Sequence, residues 1–390
     1  MINIQDKGKC SGCYACEQIC PKQCITMKVD AEGFWYPSID EKLCIGCGLC
    51  EKKCPILHPP INKVTEENVK AYAAVNHDEN VRLKSSSGGL FTLIAAYVIE
   101  RDGVVFGAAF DDKFNVIHRY VDKAEDLELL RGSKYVQSKI GDTYRQAEDF
   151  LKKGRLVLFT GTPCQIEGLR SFLAKDYENL YTQDIICHGV PSPMIWKKYV
   201  EYREKTAKSN ANKVYFRNKK YGWKTFSVVI EFVNNTKYVK KFNQDVYMKA
   251  FLRNLTLRPS CYQCSFKKKY RNSDYTLADF WGVQNILPQM DDDKGTSLIF
   301  VNSEKGYAVL EEIKKEMSIC PVVVDDAIAN NSSMIKSVNI SPQRDEFVKK
   351  CQTEDWKALE KAFMKKSYFD TLIQLGKKVA RKILREIKRR

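Results

Sequence analysis

Two short segments near the N-terminus hold eight cysteines at repeating intervals. The sequence CSGCYACEQICP begins at position 10, and CIGCGLCEKKCP begins at position 44. Each segment has the spacing C-x2-C-x2-C-x3-C followed by proline. Three thiolates two residues apart, on a loop of small residues, can cap three iron atoms of one cubane. The fourth cysteine lies beyond a helical turn that the proline ends, and it points towards a second site.

This spacing is the signature of two-cluster bacterial ferredoxins, in which the fourth cysteine of each run ligates the other cluster. We therefore predict two [4Fe–4S] clusters. The predicted ligands are Cys10, Cys13, Cys16 and Cys54 for the first cluster, and Cys44, Cys47, Cys50 and Cys20 for the second. Zinc sites instead favour C-x2-C pairs separated by longer gaps. Cys24, just outside the pattern, is predicted to be a small buried residue or a spare thiol.

The abundance of cysteine also bears on the compartment. A disulfide framework needs an oxidising environment, and the first ten residues, MINIQDKGKC, contain no apolar signal-peptide core. The best apolar run, GLFTLIAAYVI at 89–99, is shorter than the roughly 20 residues that span a bilayer. With 15 cysteines in 390 residues, the sequence predicts a protein of the reducing cytoplasm.

A serine- and glycine-rich segment precedes a predicted helix at KSSSGGLFT, residues 84–92. Backbone N–H groups, hydroxyl groups and a positive helix end suit a phosphate or pyrophosphate, and a lysine adds a cation. The candidate contacts are Lys84, Ser85, Ser86, Ser87, Gly88 and Gly89. The alternative is a flexible turn with a serine N-cap. The sequence has no G-x-G-x-x-G, so a dinucleotide would not be held in a standard Rossmann turn.

Four further cysteines lie in segments that are remote in sequence. Cys164 follows a predicted strand in FTGTPCQIEGL (159–169), Cys187 ends another strand in DIICHGVPSP, and Cys261 and Cys264 form a C-x2-C. Strand ends are the usual place for ligand contacts in α/β sheets. These four residues could close a third [4Fe–4S] site in three dimensions. The alternative is two buried thiols and a C-x2-C that binds zinc or nothing. Cys320 and Cys351 are predicted to be structural.

The elements that must position these residues alternate between strand and helix after residue 70, which predicts an α/β core behind an N-terminal α+β ferredoxin fold. Residues 213–242 alternate apolar and polar side chains around two asparagines, which predicts a β-ribbon. The other predicted elements are strands at 71–76, 102–111 and 181–191, a helix at 88–101, a helix beginning at AEDLELL, and a strand, turn and helix over 155–175.

The ordered set KSSSGG, FTGTPCQIEGL, CHGVPSP, FRNKKYGW, CYQC and DFWG resembles the β-subunit family of coenzyme F420-reducing hydrogenases and dehydrogenases. The resemblance covers roughly residues 70–330, with an N-terminal region at 70–150 and a C-terminal region at 151–330. A dicluster ferredoxin domain, here 1–60, is a frequent fusion partner in this family. The resemblance implies FAD in an α/β flavin-binding core beside a [4Fe–4S] cluster. The implied flavin contacts are Lys84 to Gly89 with Thr160, Gly161 and Thr162, and the implied cluster ligands are Cys164, Cys187, Cys261 and Cys264.

The expected function is that of an iron–sulfur flavoprotein oxidoreductase, because a flavin exchanges two electrons and a cubane carries one at a time. The alternative is a non-catalytic electron-transfer subunit that serves a reductase on another polypeptide. The expected partner is ferredoxin or another oxidoreductase subunit. No sequence feature demands F420 or names the substrate, and no general acid or base stands out.

Two basic segments with interleaved aromatic residues, FRNKKYGWK (216–224) and KKKYR (267–271), suit an acidic or phosphorylated partner or cofactor. Alternatively, they are solvated strand faces. The tryptophan of DFWG, Trp281, is predicted to lie either near the cofactor or in the core.

Half of the net charge of +16 lies in residues 365–390, which carry a surplus of eight basic residues. In the predicted helical tail at 345–390, residues 367–390 place apolar side chains on one helical face and Lys and Arg on the other. This amphipathic pattern predicts either peripheral membrane contact or packing on the domain or a partner. No nucleic-acid module accompanies the tail, so no nucleic acid is expected as a partner.

Overall fold

The computed structural model describes residues 2–4 and 6–364. The predicted amphipathic helix at 367–390 lies outside them. The strands are β1 Ile25–Val29, β2 Trp35–Ile39, β3 Lys70–Asn76, β4 Val104–Phe110, β5 Val116–Val121, β6 Val157–Thr160, β7 Leu180–Ile185, β8 Ala211–Asn218, β9 Ser227–Phe232, β10 Lys237–Lys241, β11 Tyr275–Asp279, β12 Ser297–Val301 and β13 Met317–Val322. The α-helices are α1 Ala15–Gln18, α2 Leu49–Lys52, α3 Glu79–Lys84, α4 Leu90–Ile99, α5 Leu127–Leu130, α6 Thr143–Lys152, α7 Pro163–Leu173, α8 Pro193–Ala207, α9 Val246–Leu252, α10 Val283–Ile286, α11 Glu304–Ile313, α12 Val324–Ala329, α13 Arg344–Thr353 and α14 Trp356–Leu359.

The core is a mixed sheet of eight strands in the order β13-β3-β12-β11-β7-β6-β4-β5. The central strands β4, β6, β7 and β11 are parallel, and the flanking pairs are antiparallel. The carboxyl ends of parallel strands meet at one edge of a sheet, where ligands bind in α/β folds. This edge carries the segments that follow β6, β7 and β11.

The N-terminal module is built on a hairpin, because β1 and β2 pair in antiparallel register from Ile25 with Ile39 to Val29 with Trp35. Its two short helices, α1 and α2, each begin after a residue in the left-handed region, Tyr14 and Gly48. Each of these helices carries the third cysteine of its segment, Cys16 or Cys50.

The second sheet is the ribbon of β8, β9 and β10, which are antiparallel. Its apolar face packs with α8, α9 and the C-terminal helices α13 and α14 in one hydrophobic cluster. Trp196, Tyr199 and Tyr247 are at most 1% exposed in this cluster. The β-ribbon predicted at 213–242 is therefore confirmed, as are the predicted strands that became β3, β4 and β7.

The helix predicted to begin at AEDLELL is only one turn long. It comprises a 3-10 turn at Ala124–Asp126 and α5, which ends at Leu130. Gly132 has a φ of +84°, which ends the helical path. The amide of Ser133 then donates a hydrogen bond to Ser86 Oγ over 2.7 Å. This tertiary contact, which local propensity does not encode, fixes the loop that follows α5.

Candidate functional site

The structure places the eight N-terminal cysteines around two separate small cavities. The first is lined by Cys10, Cys13, Cys16 and Cys54. The second is lined by Cys20, Cys44, Cys47 and Cys50, together with Cys24. Each group combines three cysteines of one segment with the fourth of the other, which is the crossed arrangement that the spacing predicts. The Cys24 thiol is buried 3.4 Å from the Cys20 thiol, so it is a fifth sulfur in the second cavity.

The surroundings of the first cavity disfavour free thiolates. Burial, with smaller contributions from the neighbouring Cys10 and Cys54, raises the pKa of the Cys13 thiol to about 12. Burial also raises the pKa of Cys16 well above its usual value. Thiolates that ligate iron are deprotonated, and the positive iron supplies the compensation that this buried site otherwise lacks. The donor set therefore fits a [4Fe–4S] cluster.

The four remote cysteines also converge. Cys164 is the second residue of α7, and Cys187 follows β7 by two residues. Cys261 lies in a 3-10 turn, Pro259–Gln263, and Cys264 comes directly after it. The pKa of Cys164 is raised well above its usual value, first by burial and then by the nearby Cys264, Cys187 and Cys261. Since a charge effect of this kind requires proximity, the four thiols form one group, which we call the core thiol group.

Within residues 2–4 and 6–364, no three side chains of His, Cys, Asp or Glu converge closely enough for a lone metal ion. A [4Fe–4S] cluster places a different geometric requirement on its ligands. Its four thiolates do not meet at one metal ion, because each binds a different iron atom of the cubane. The backbone around the core thiol group supplies polar contacts: the Val190 amide lies 3.4 Å from Cys261 Sγ, and Lys267 Nζ donates to the Cys187 carbonyl.

A cavity of about 660 Å³ opens beside the core thiol group and shares Cys187 as part of its wall. Its volume lies within the usual range of small-molecule and cofactor sites. The segments after β6 and β7 line it, as do the end of β11, the loop 130–136 and the turn 330–333. The predicted residues that line it are Ser85, Ser86, Ser87, Gly89, Thr160, Gly161 and Thr162.

The serine segment shapes the cavity more than it offers free hydroxyls. Ser85 Oγ donates to the Val81 carbonyl, and Ser87 Oγ donates to the Thr296 carbonyl. Gly88 lies against backbone, because a Cβ there would be 2.4 Å from the Ala74 carbonyl oxygen. Lys84 is exposed at the end of α3 and does not line the cavity. The structure therefore brings together the serines, Gly89 and the Thr160–Thr162 turn, but not Lys84.

Other basic residues, rather than Lys84, supply cations to the wall of the cavity. Arg131, Lys134 and Arg217 all line the cavity. Lys134 Nζ donates to the carbonyls of Leu129 and Arg131. Burial lowers the pKa of Lys134 to about 7. An anionic ligand group would favour the charged form of this amine.

Three buried polar atoms in the cavity wall have no hydrogen-bond partner among the described residues. They are His118 Nδ1, Gln183 Oε1 and Arg217 Nε. His118 Nε2 donates to the Thr160 carbonyl over 2.9 Å, so its Nδ1 is left as an acceptor. Buried polar atoms are normally paired, so these atoms indicate a ligand with both donors and acceptors. Sequence reasoning missed His118 and Gln183, because a lone polar residue within a strand carries no motif.

The basic segment 216–224 turns inward. Arg217 pairs with Asp279 over 2.9 Å, and Lys219 Nζ donates to the carbonyls of Arg82, Ser87 and Lys294. Lys219 therefore holds the serine segment in place. The alternative of a solvated strand face does not hold for Arg217 and Lys219, since Arg217 is buried in the cavity wall and Lys219 Nζ is enclosed by carbonyls.

The tryptophan of DFWG lies between the core and the cavity. Trp281 lines the cavity and stacks on the buried Trp223 with ring centroids 4.7 Å apart and an interplanar angle of 8°. Asp279 Oδ1 accepts a hydrogen bond from Trp223 Nε1 over 2.9 Å. In the second basic segment, Arg271 pairs with the buried Asp184. One arginine of each segment, Arg217 and Arg271, is thus buried in an ion pair.

Comparison with known protein families identifies the class of the N-terminal module. Residues 9–56 match the family model described as a 4Fe-4S dicluster domain. The N-terminal module is therefore that of an iron–sulfur protein.

The rest of the chain defines the family. Two further models describe the N-terminal and C-terminal parts of the "Coenzyme F420 hydrogenase/dehydrogenase, beta subunit"; the first matches residues 71–143 and the second matches residues 154–324. Together these two matches cover more than half of the chain. The chain belongs to the coenzyme F420 hydrogenase/dehydrogenase β-subunit family, which confirms the resemblance seen in its motifs.

Two individual proteins show the range of the similarity. The chain is 26% identical over 320 residues to a coenzyme F420-dependent sulfite reductase of Methanocaldococcus jannaschii, covering 81% of this chain and 47% of the relative. It thus spans about half the length of this curated relative. A chain of the F420-reducing [NiFe] hydrogenase complex of Methanosarcina barkeri aligns with 73% of this chain at 16% identity, covering 98% of that chain with a TM-score of 0.46.

No helix among the described residues combines the length and the apolar character that crossing a bilayer requires.

Proposed function

We propose that this chain is an iron–sulfur flavoprotein oxidoreductase with FAD in the 660 Å³ cavity and three [4Fe–4S] clusters on its three thiol groups. The observation that carries the proposal is the position of Cys187. This cysteine belongs to the core thiol group and to the wall of the cavity. A two-electron cofactor in the cavity would therefore lie next to a one-electron carrier.

The wall of the cavity fits a flavin chemically. An isoalloxazine ring carries N–H and carbonyl groups, which could pair with His118 Nδ1, Gln183 Oε1 and Arg217 Nε. Burial lowers the pKa of His118 to about 4, so the imidazole is neutral near pH 7 and presents its acceptor. Arg131 and Lys134 would face the pyrophosphate.

FAD, when bound, supplies the exchange of a hydride or of single electrons. The chain's own part is to orient the ring through these polar atoms. It also excludes water, since Leu90, Phe251 and Val136 are at most 4% exposed in the same wall. No described residue is assigned as a general acid or base.

We further propose that the electron partner is a separate ferredoxin or oxidoreductase subunit. The relative named as a sulfite reductase is about twice as long as the segment that this chain matches. This chain itself offers a partner an approach, because Cys47 is exposed beside the exposed Leu43 and Ile45. The fifteen cysteines, none of which forms a disulfide, suit a reducing cytoplasm.

The test is anaerobic purification with flavin identification and iron counting. We expect one FAD and about twelve iron atoms per chain, four for each cluster. Cys187→Ser should remove about four iron atoms. The matched control is Cys320→Ser, at a half-buried thiol on β13 that belongs to none of the three groups.

Two results would contradict the proposal separately. Zinc or no metal at the core thiol group of a flavin-bound chain would refute the third cluster. A full complement of iron without any flavin would refute the assignment of the cavity. Screening F420, NAD(P)H and reduced ferredoxin as donors then assigns the direction of electron flow.

A further inference from the structure

The inner face of the ferredoxin module lies against helix α7 at a glycine. Gly168 is four residues after Cys164, which is one helical turn. A Cβ built at Gly168 would lie 2.9 Å from Cys13 Cβ, 3.2 Å from Cys13 Sγ and 2.8 Å from Tyr144 Oη. Real Cβ atoms essentially never approach a neighbour this closely. Glycine therefore lets Cys13 of the first thiol group pack directly on α7 at a position about 6 Å along the helix axis from Cys164.

A second contact joins the same two thiol groups. The 3-10 turn Lys7–Lys9, just before Cys10, packs on the turn Pro259–Gln263, which contains Cys261. Arg258, next to that turn, is fully buried and donates from Nε to the Cys10 carbonyl over 2.7 Å. Two independent core segments that carry cysteines of the core thiol group thus contact the segment that carries Cys10 and Cys13.

The other thiol group of the module faces away from the core. Helix α2, which carries Cys50, packs on α1 within the module. Cys47 is exposed, and the neighbouring Leu43 and Ile45 are 56% and 61% exposed. Of the three thiol groups, this is the one that a carrier protein can approach directly.

We propose that the three thiol groups form an electron-transfer path of fixed order. Gly168 is a positioning residue in this path. An external one-electron carrier would exchange electrons at the Cys47 end. Electrons would then pass to the Cys13 group, across Gly168 to the core thiol group, and so to the cavity. Each step moves one electron and neither makes nor breaks a bond. Because electron tunnelling falls steeply with distance, the close approach at Gly168 sets the rate between the module and the core. This inference rests on the proposed function, since it requires clusters at all three groups.

The order can be tested by electron paramagnetic resonance on the full-length, dithionite-reduced protein. Magnetic coupling between two reduced clusters depends on their separation. We expect coupling between the core cluster and one module cluster. Cys47→Ser should leave this coupling in place, whereas Cys13→Ser should abolish it. The opposite result, or coupling lost in both variants, overturns the order.

The role of Gly168 is tested by Gly168→Ala against Ser171→Ala, a half-buried position on the same helix. With iron and flavin content unchanged, Gly168→Ala should weaken the coupling and slow flavin reduction by an external carrier, and Ser171→Ala should do neither. Unchanged coupling in Gly168→Ala overturns the positioning role. If that variant does not fold, the two cysteine variants still decide the order.

Iron and flavin content distinguish failure of the proposed function from failure of the proposed electron-transfer path. A wild-type chain with fewer than three clusters refutes the proposed function. Three clusters without any magnetic coupling between the module and the core refute only the proposed order of the electron-transfer path.

Discussion

Replacement of Arg258 by leucine should loosen the ferredoxin module from the core. The side chain is fully buried, and it donates to two carbonyls of the module, that of Cys10 over 2.7 Å and that of Trp35 over 3.0 Å. It also donates to Gln137 Oε1 over 3.2 Å, and Gln137 Nε2 in turn donates to the Ser11 carbonyl over 3.3 Å. Leucine fills part of the volume but donates nothing.

The magnitude follows from the acceptors that Arg258→Leu leaves behind. Each buried acceptor without a donor costs about 1–3 kcal/mol. The guanidinium also lies 4.2 Å from the ring centroid of Tyr36 in the module, and this contact is lost as well. Water can reach part of the interface once the side chain is shortened, so we expect a loss of about 3–5 kcal/mol in the free energy of docking. Since 1.4 kcal/mol is a factor of ten, the undocked population should rise by roughly 100- to 4,000-fold.

Hydrogen exchange at residues 10–20 and limited proteolysis within 57–70 measure this opening in the anaerobically purified protein. Arg258→Leu should exchange and cleave faster than wild type, and Arg258→Lys should be intermediate, because it keeps the charge but not the three-way geometry. Arg119→Leu, at an exposed position on β5, is the control for loss of a positive charge. Exchange and cleavage in Arg258→Leu that match Arg119→Leu would refute the reasoning.

Three more predictions concern the other sites. Burial lowers the pKa of Lys134 to about 7. Above that pH the amine of the ligand-free protein must take up a proton before it can present a cation to the ligand. FAD affinity should therefore fall by up to about tenfold per pH unit above pH 7. Lys134→Met should flatten this titration curve, and an equally steep curve in the variant would count against it. Cys13→Ala and Cys47→Ala should each lower the iron content by about four atoms per chain and leave the flavin bound; unchanged iron in both would contradict the ligand assignment. Asp279→Ala leaves the buried Arg217 guanidinium without its carboxylate and should lower the free energy of unfolding by about 3–5 kcal/mol, which denaturant titration measures; a loss under about 1 kcal/mol would show the pair to be dispensable.

Much of the fold was predictable because its signals are local. Strand periodicity and glycine- or proline-marked turns predicted β3, β4, β7 and the ribbon of β8 to β10 within a few residues. A helix does begin at AEDLELL as predicted, but local patterns did not predict how short it is, because the chain turns extended at Arg131 and Ser133 then bonds to the distant Ser86. The arrangement of the sheet, with its antiparallel flanks, was likewise not predicted, since strand pairing depends on residues far apart in sequence.

The sequence by itself predicted how the eight N-terminal cysteines group around two cavities, because the repeated spacing is that of two-cluster ferredoxins, in which the fourth cysteine of each run serves the other cluster. It left the core thiol group open between several interpretations, and only the tertiary structure brings Cys164, Cys187, Cys261 and Cys264 together. The same holds for the cavity, whose cations and unpaired atoms come from strands and loops without motifs. The docking of the module depends on Arg258, which reaches a carbonyl 248 positions away in the chain. Contacts of this kind are determined by how the sheet and helices pack, and no local sequence pattern predicts them.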